Sequence, residues 1–272
     1  MLRDITIGQY FPGGSVIHRM DPRMKLVLTF AFIVTLFLPK TWLGLAAAAV
    51  FLMVIILLTR LPFRLILRSV KPIIPIIIFT SVINIFYISE KVNWEWDWWI
   101  FHITDKGLST AAFIVIRIVC LIIGSSLLTY TTSPTALTDG LERILRPLKV
   151  VRLNVHELAM MMTIALRFIP TLIEETDKIM MAQKARGADL DSGGLFKRIR
   201  AMIPILIPLF VSAFRRAYEL AMAMECRCYK GGKGRTRMKI LRLAGADWLA
   251  LLVVMLLIGG LVGLNYVLPR AI

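Results

Sequence analysis

An all-α, multi-pass membrane fold is predicted by three observations. The first is composition: of 272 residues, 58% are hydrophobic and only 18% charged, with more long apolar runs than a soluble core of this size needs. The second is length, because several of those runs approach the roughly 20 apolar residues that carry a helix across a bilayer. The third is the placement of a formal net charge of +16, which gathers in particular loops. A basic stripe over a soluble domain would point to nucleic acid, whereas charge gathered in loops fits membrane topology. The lipid bilayer is therefore the expected surrounding, and no nucleic-acid partner is expected.

Residues 1–10 carry scattered charges and a glycine in place of an apolar stretch with a small-residue cleavage site, so removal of a signal peptide is not expected. Five crossings are expected, at residues 24–39, 42–59, 72–89, 107–131 and 247–268. The first is short. Pro72 and Pro75 fall near the start of the third, where a helix tolerates missing amide donors. Arg3, Arg19, Arg23 and Lys25 precede the first span, and Arg60, Arg64, Arg68 and Lys71 separate the second from the third. Positive residues in short loops stay inside, so both regions are expected to be cytoplasmic. The next loop holds Glu90, Glu95, Asp97 and Asp105 against Lys91 and Lys106. Its Trp94, Trp96, Trp98 and Trp99 suit an outer interfacial belt. The fourth span then returns the chain to the cytoplasm at Ser133, and the fifth leaves Arg270 and the C-terminus outside. Three regions result: 1–132 with four spans, 133–246 with cytoplasmic helices, and 247–272 with the last span.

The central region is too long for an ordinary loop. Ser133-Pro134 reads as an N-cap followed by proline at the first helical position. Leu137, Leu141, Ile144, Leu145 and Leu148 then form one apolar face, and Pro147 is expected to end the helix at Arg146. A second helix covers 155–186, apolar through Leu172 and amphipathic through Glu174, Glu175, Asp177, Lys178 and Lys184. After a polar turn at 189–194, a third segment runs over 199–229. Its apolar portion, 201–214, is interrupted by Pro204 and Pro208 and is expected to lie shallowly at the cytoplasmic face.

Two of these helices end alike. One closes with Lys184-Ala185-Arg186-Gly187 and the other with Glu225-Cys226-Arg227-Cys228-Tyr229. A single arginine followed by glycine is a routine helix ending, since arginine complements the negative end of the dipole and glycine takes the left-handed cap. Two consecutive long helices ending in arginine with similar flanks call for more. A permanently charged planar fork at the exposed end of a rigid rod can enter an acidic groove on another protein.

At this point the chain resembles a known family, the energy-coupling factor transmembrane components, or T components. The likeness begins at Gly8-Gln9-Tyr10 and His18-Arg19-Met20-Asp21-Pro22-Arg23-Met24-Lys25-Leu26. It continues through Leu128-Thr129-Tyr130-Thr131-Thr132-Ser133-Pro134, Leu137-Thr138-Asp139-Gly140-Leu141-Glu142 and Val155-His156-Glu157-Leu158-Ala159. It is densest in Ala165-Leu166-Arg167-Phe168-Ile169-Pro170, Ala182-Gln183-Lys184-Ala185-Arg186-Gly187 and Phe210-Val211-Ser212-Ala213-Phe214-Arg215-Arg216. The resemblance implies a prokaryotic cell-membrane subunit that joins two cytosolic ATP-binding-cassette ATPases to a small substrate-binding membrane protein, the S subunit, in vitamin or micronutrient uptake. In that family two Ala-Arg-Gly motifs end coupling helices, and each arginine sits in a groove of one ATPase. The matching positions are Ala185, Arg186 and Gly187, and Cys226, Arg227 and Cys228. The second motif departs from the pattern, because cysteines replace alanine and glycine. Without the glycine stop, that helix is expected to run further or to cap at Gly231.

Other chemistries find little footing. Lys230-Gly231-Gly232-Lys233-Gly234 lacks the spacing and hydroxyl of a phosphate loop, so ATP and other cofactors are expected on partner subunits. Of three cysteines, Cys120 lies in an apolar run and Cys226 and Cys228 in a basic segment, with His18, His102 and His156 distant in sequence. Neither a disulfide framework nor a metal centre is expected. His156-Glu157 lacks a nearby nucleophile and reads as capping. Met160, Met161, Met162, Met180 and Met181 read as packing. Arg117 sits mid-span, where a charge costs roughly 2.5 to 3.5 kcal/mol on insertion scales. It is read either as a buried hydrogen-bond donor to neighbouring helices or as a contact for the substrate-binding partner. Two alternatives stand beside the coupling subunit. An ordinary ABC importer permease would need one coupling loop where this chain has two arginine-tipped helices, and a membrane-embedded enzyme would need clustered acids or histidines at a membrane face.

Overall fold

The computed structural model describes residues 10–87, 95–98, 101–147, 155–188, 194–231 and 243–267. The expectations for the N-terminal residues 1–9, Trp94 and Trp99, the turn at 189–193, the basic residues 233–239 and Arg270 lie outside them. The helices are α1 (Val16–Arg19), α2 (Pro22–Thr35), α3 (Trp42–Thr59), α4 (Phe63–Val70), α5 (Ile74–Tyr87), α6 (Asp105–Thr131), α7 (Pro134–Ile144), α8 (Val155–Ala185), α9 (Leu195–Cys226) and α10 (Gly245–Val267). A 3-10 turn, Lys71–Ile73, joins α4 to α5. The loop expected outside contains a short antiparallel hairpin of β1 (Glu95–Trp98) and β2 (Phe101–Thr104), with Glu95 opposite Thr104.

Local chemistry sets many of the helix starts. Asp21 caps α2 by accepting from the Arg23 amide at 3.0 Å, with Pro22 in the first turn where its missing N–H is harmless. Thr41 caps α3 through the Gly44 amide at 3.2 Å. Ser133 caps α7 through the Ala136 amide at 3.3 Å, with Pro134 behind it. That start matches the sequence reading, while α7 ends at Ile144, two residues before the expected stop. The segment expected to cross at 24–39 forms a helix of only 14 residues. At 1.5 Å per residue it spans ~21 Å, less than the ~30 Å of a hydrocarbon core. Its apolar continuation leaves the helix before Pro39, which disfavours helical backbone at the preceding residue.

Among the described residues, six helical stretches are long and apolar enough to cross a membrane: Trp42–Thr59, Phe63–Ile85, Lys106–Thr131, Val155–Ala185, Ile199–Cys226 and Gly245–Val267. The chain is a multi-pass helical membrane protein. By length and composition α8 and α9 qualify alongside the others, although the shallow placement expected of the 199–229 segment did not require it.

The described residues divide into two compact units, one of those between 10 and 143 together with 243–267, the other of those between 144 and 231. In the first, α6 is the hub, packing against α2, α3, α4 and α5. The core joins Phe32, Leu36, Ala48, Leu52, Ile56, Ile66, Cys120, Leu127 and Tyr130. Inside a bilayer apolar burial drives little by itself, so close approach matters. At Gly124 an added Cβ would lie 2.8 Å from the Phe32 ring, which is how α6 and α2 come so near.

Polar ties complete this unit. Asp247 is fully buried and accepts from the Asp21 amide at 3.2 Å and the Ala244 amide at 2.8 Å, fastening the start of α10 to the start of α2. Lys25, also buried, donates to the carbonyls of His18 at 3.1 Å and Thr131 at 2.9 Å. At the other end of α10, Asn265 donates to Leu38 O at 2.7 Å and accepts from the Lys40 amide at 3.1 Å. The buried Asp247 carboxylate and the Lys25 ammonium thus each have hydrogen-bond partners, which the low dielectric favours.

Candidate partner-docking tips

The second unit carries the residues singled out by the helix endings. Pro204 and Pro208 lie inside α9 and Pro170 inside α8 without breaking either helix. This corrects the expected interruption, and at Pro208 the neighbouring helix supplies part of the reason. Pro208 lacks the N–H that would serve the carbonyl four residues earlier, that of Pro204. The Gln183 side chain of α8 donates to that carbonyl at 3.4 Å. One carbonyl left without its helical donor by proline is thereby met from the neighbouring helix.

A second tie lies further along the pair. Arg216 donates to Glu175 at 2.8 Å, and the Ser212 hydroxyl donates to the other oxygen of the same carboxylate. As α8 advances from Glu175 to Gln183, its partners on α9 retreat from Arg216 to Pro204, so the two helices run in opposite directions. Their C-terminal tips therefore point to opposite ends of the pair. From Pro204, at the level of Gln183, α9 continues 23 residues to Arg227, ~35 Å at the helical rise. Two separate prongs result. An open apolar groove of about 460 Å³ lies between the helices, lined by Leu172, Leu206, Phe210 and Val211 among others.

The tips themselves have one geometry. At the end of α8, the Ala188 amide donates to Gln183 O at 3.0 Å and the Gly187 amide to Lys184 O at 3.0 Å, with Gly187 left-handed at φ 85°. At the end of α9, the Tyr229 amide donates to Met224 O at 3.0 Å and the Cys228 amide to Glu225 O at 2.8 Å. Both are Schellman closures, with Arg186 and Arg227 at the same cap position. Cys228 adopts φ 53°, the conformation that glycine would ordinarily supply. The expectation that α9 runs on or caps at Gly231 is therefore corrected. A left-handed non-glycine residue costs roughly 1 to 2 kcal/mol, and the two backbone hydrogen bonds offset it. Gly231 is also left-handed, at φ 82°, but beyond the helix.

Ala185, Arg186, Gly187, Cys226, Arg227 and Cys228 are all exposed. Among the described residues, neither Arg186 nor Arg227 has a side-chain hydrogen bond or ion pair. Cys226 and Cys228 are free thiols. No group of three or more His, Cys, Asp or Glu gathers among the described residues. Arg117 lies in the other unit. Its guanidinium donates to Pro39 O at 2.8 Å and stacks over the Phe113 ring at 4.8 Å, tying mid-α6 to the loop after α2. Sequence reasoning passed over Gln183, Glu175, Ser212 and Arg216 as working residues. Glu175 stands among Glu174, Asp177 and Lys178, and Arg216 beside Arg215, so the sequence does not single them out and only the pairing of helices gives them roles.

The family profile of CbiQ, cobalt transport protein, matches residues 13–239. The energy-coupling factor transporter transmembrane protein EcfT of Ruminiclostridium cellulolyticum is 53% identical over 91% of this chain and 92% of its own length. The protein of the same name from Thermosediminibacter oceani is 53% identical over 95% of this chain and 97% of its own, and that of Bacillus subtilis 47% identical over 91% and 93%.

Proposed function

Because the chain belongs to the energy-coupling factor transporter transmembrane protein family, we propose that it couples two cytosolic ABC ATPases to a substrate-binding S subunit during uptake of vitamins or other micronutrients. The observation that carries this reading is the pair of Schellman-closed tips, each presenting an unpaired arginine at the same cap position on oppositely directed helices. Prongs separated by ~35 Å of helix suit two receiving subunits better than one. Arg186 and Arg227 each enter an acidic groove, where the planar guanidinium makes bidentate, charge-assisted bonds. The Glu175–Arg216 tie and the Gln183–Pro204 tie make α8 and α9 move as one lever, so closure of the ATPases reaches the membrane. The apolar groove between the helices offers a membrane partner a surface without competing polar groups. Catalysis and nucleotide belong to the ATPases, and this chain holds no cofactor of its own. Its N-terminus and both tips face the cytoplasm, and its C-terminus lies outside. In this orientation α2 completes the first crossing together with the apolar residues that follow it to Pro39, and α8 and α9 lie along the cytoplasmic face without crossing.

The experiment is copurification of the tagged chain from its native membrane, with mass spectrometry of what accompanies it and ATP hydrolysis measured with and without those proteins. Two ATPase copies and a small membrane protein should accompany it, and the chain alone should hydrolyse nothing. A chain that transports in vesicles with a single partner, or alone, would refute the reading.

A further inference from the structure

The connection between α3 and α5 holds a feature that the coupling role leaves unused. Arg60, Arg64, Arg68 and Lys71 are all exposed, and no aspartate or glutamate occurs between Asp21 and Glu90 in the sequence. Among the described residues none of the four makes a side-chain hydrogen bond or ion pair. Arg64 and Arg68 are one turn apart on α4, and Lys71 follows one turn later, so three cations share an edge. Arg60 adds a fourth where α3 ends in a left-handed residue.

Next to the cationic edge lies an apolar one. Phe63 and Leu67, also one turn apart, are 57% and 56% exposed. The opposite side is anchored, with Ile66 buried at 2% and the Tyr130 hydroxyl of α6 donating to Leu65 O at 3.4 Å. This helix therefore cannot roll to hide either exposed edge. It also runs through the Lys71–Ile73 turn straight into α5, within one stretch long and apolar enough to cross the bilayer.

We infer that α4 is a binding site for anionic phospholipid headgroups at the membrane interface. Phe63 and Leu67 enter the acyl boundary, and Arg60, Arg64, Arg68 and Lys71 hold lipid phosphates at the level where the span begins. An acidic soluble partner would neutralise the cations but leave the two apolar side chains in water. A charged lipid surface satisfies both edges at once.

The test uses the full chain in nanodiscs of phosphatidylcholine mixed with phosphatidylglycerol, with native mass spectrometry of the lipids retained on release. Wild type should retain phosphatidylglycerol in excess over its share of the disc. The variant R64Q/R68Q/K71Q should lose that excess by roughly fivefold per cation removed, whereas R64K/R68K should keep it. Raising salt on the wild type should erase the excess as well, a readout that stands even if the triple variant folds poorly. An unchanged excess in the triple variant, or a salt-insensitive one, overturns the inference. So does a triple variant that keeps its lipid excess but loses a copurifying protein, since the patch would then be a protein interface.

Discussion

Charge reversal at the two tips is the decisive perturbation, because the structure separates what the arginine side chain does from what holds the helix end. Each tip is closed by two backbone hydrogen bonds of 2.8 to 3.0 Å, in which the arginine side chain takes no part. Arg186→Glu or Arg227→Glu therefore leaves the closure intact and removes only a favourable interaction with the helix dipole, about 0.3 to 1 kcal/mol. If each guanidinium is held in an acidic groove, reversal costs far more, about 2 to 5 kcal/mol. At 1.4 kcal/mol per tenfold, that is roughly 30-fold to several thousandfold in affinity per site. Tips that lie ~35 Å of helix apart share no partner, so their costs should add to within about 0.5 kcal/mol. Each single variant should weaken uptake, and the double variant should abolish it. The assay is pull-down of the ATPases together with ATP-driven uptake, normalised to the amount of chain in the membrane. Should the double variant bind both ATPases and transport normally, the arginines are helix caps only and the coupling account is wrong.

Four further outcomes are expected. Cys228→Gly relieves a left-handed non-glycine residue at φ 53° and should protect the end of α9 by about 1 kcal/mol, read as slower amide exchange at Cys228 and Tyr229. Arg117→Glu should lower yield and thermal stability in detergent well below Arg117→Lys, because a carboxylate cannot donate to Pro39 O and an uncompensated buried charge is costly; equal behaviour of the two would remove Arg117 from the packing account. An impermeant thiol reagent added to intact cells should spare Cys226 and Cys228, and efficient labelling from outside would reverse the proposed orientation. His18 receives the Ser15 hydroxyl on Nδ1 at 2.6 Å and contacts Phe11 O through Nε2 at 3.1 Å. Burial, aided by the nearby Lys25 charge and opposed by the Phe11 carbonyl, holds its pKa below the ordinary 6.5. Its folded form prefers the neutral ring, so this contribution is complete above pH 6.5 and fades as pH falls below it. Weaker protection of the Phe11 amide, which bonds Tyr130 O at 3.0 Å, measured against its intrinsic exchange rate at each pH, should report the loss, and His18→Gln should flatten it.

What the amino-acid sequence determined by itself was whatever depends on neighbours along the chain. Apolar runs specified membrane helices, Ser133-Pro134 specified the start of α7, and the paired arginine endings marked both tips, because hydropathy and capping act over a few residues. Tertiary structure decided what depends on distant groups. The Pro204 carbonyl that Pro208 leaves without its helical donor is met by Gln183 from another helix, and the Glu175–Arg216 tie required two helices running in opposite directions. The Asp247 bond to the Asp21 amide joins residues 226 positions apart. Cys228 shows the same division at its sharpest. Local propensity disfavours a left-handed cysteine and pointed to a later stop, whereas the closed hydrogen bonds of the helix end hold it there at roughly 1 to 2 kcal/mol of strain. Local preference is a matter of a kilocalorie or so per residue, and a buried or end-capping hydrogen-bond pair is large enough to override it.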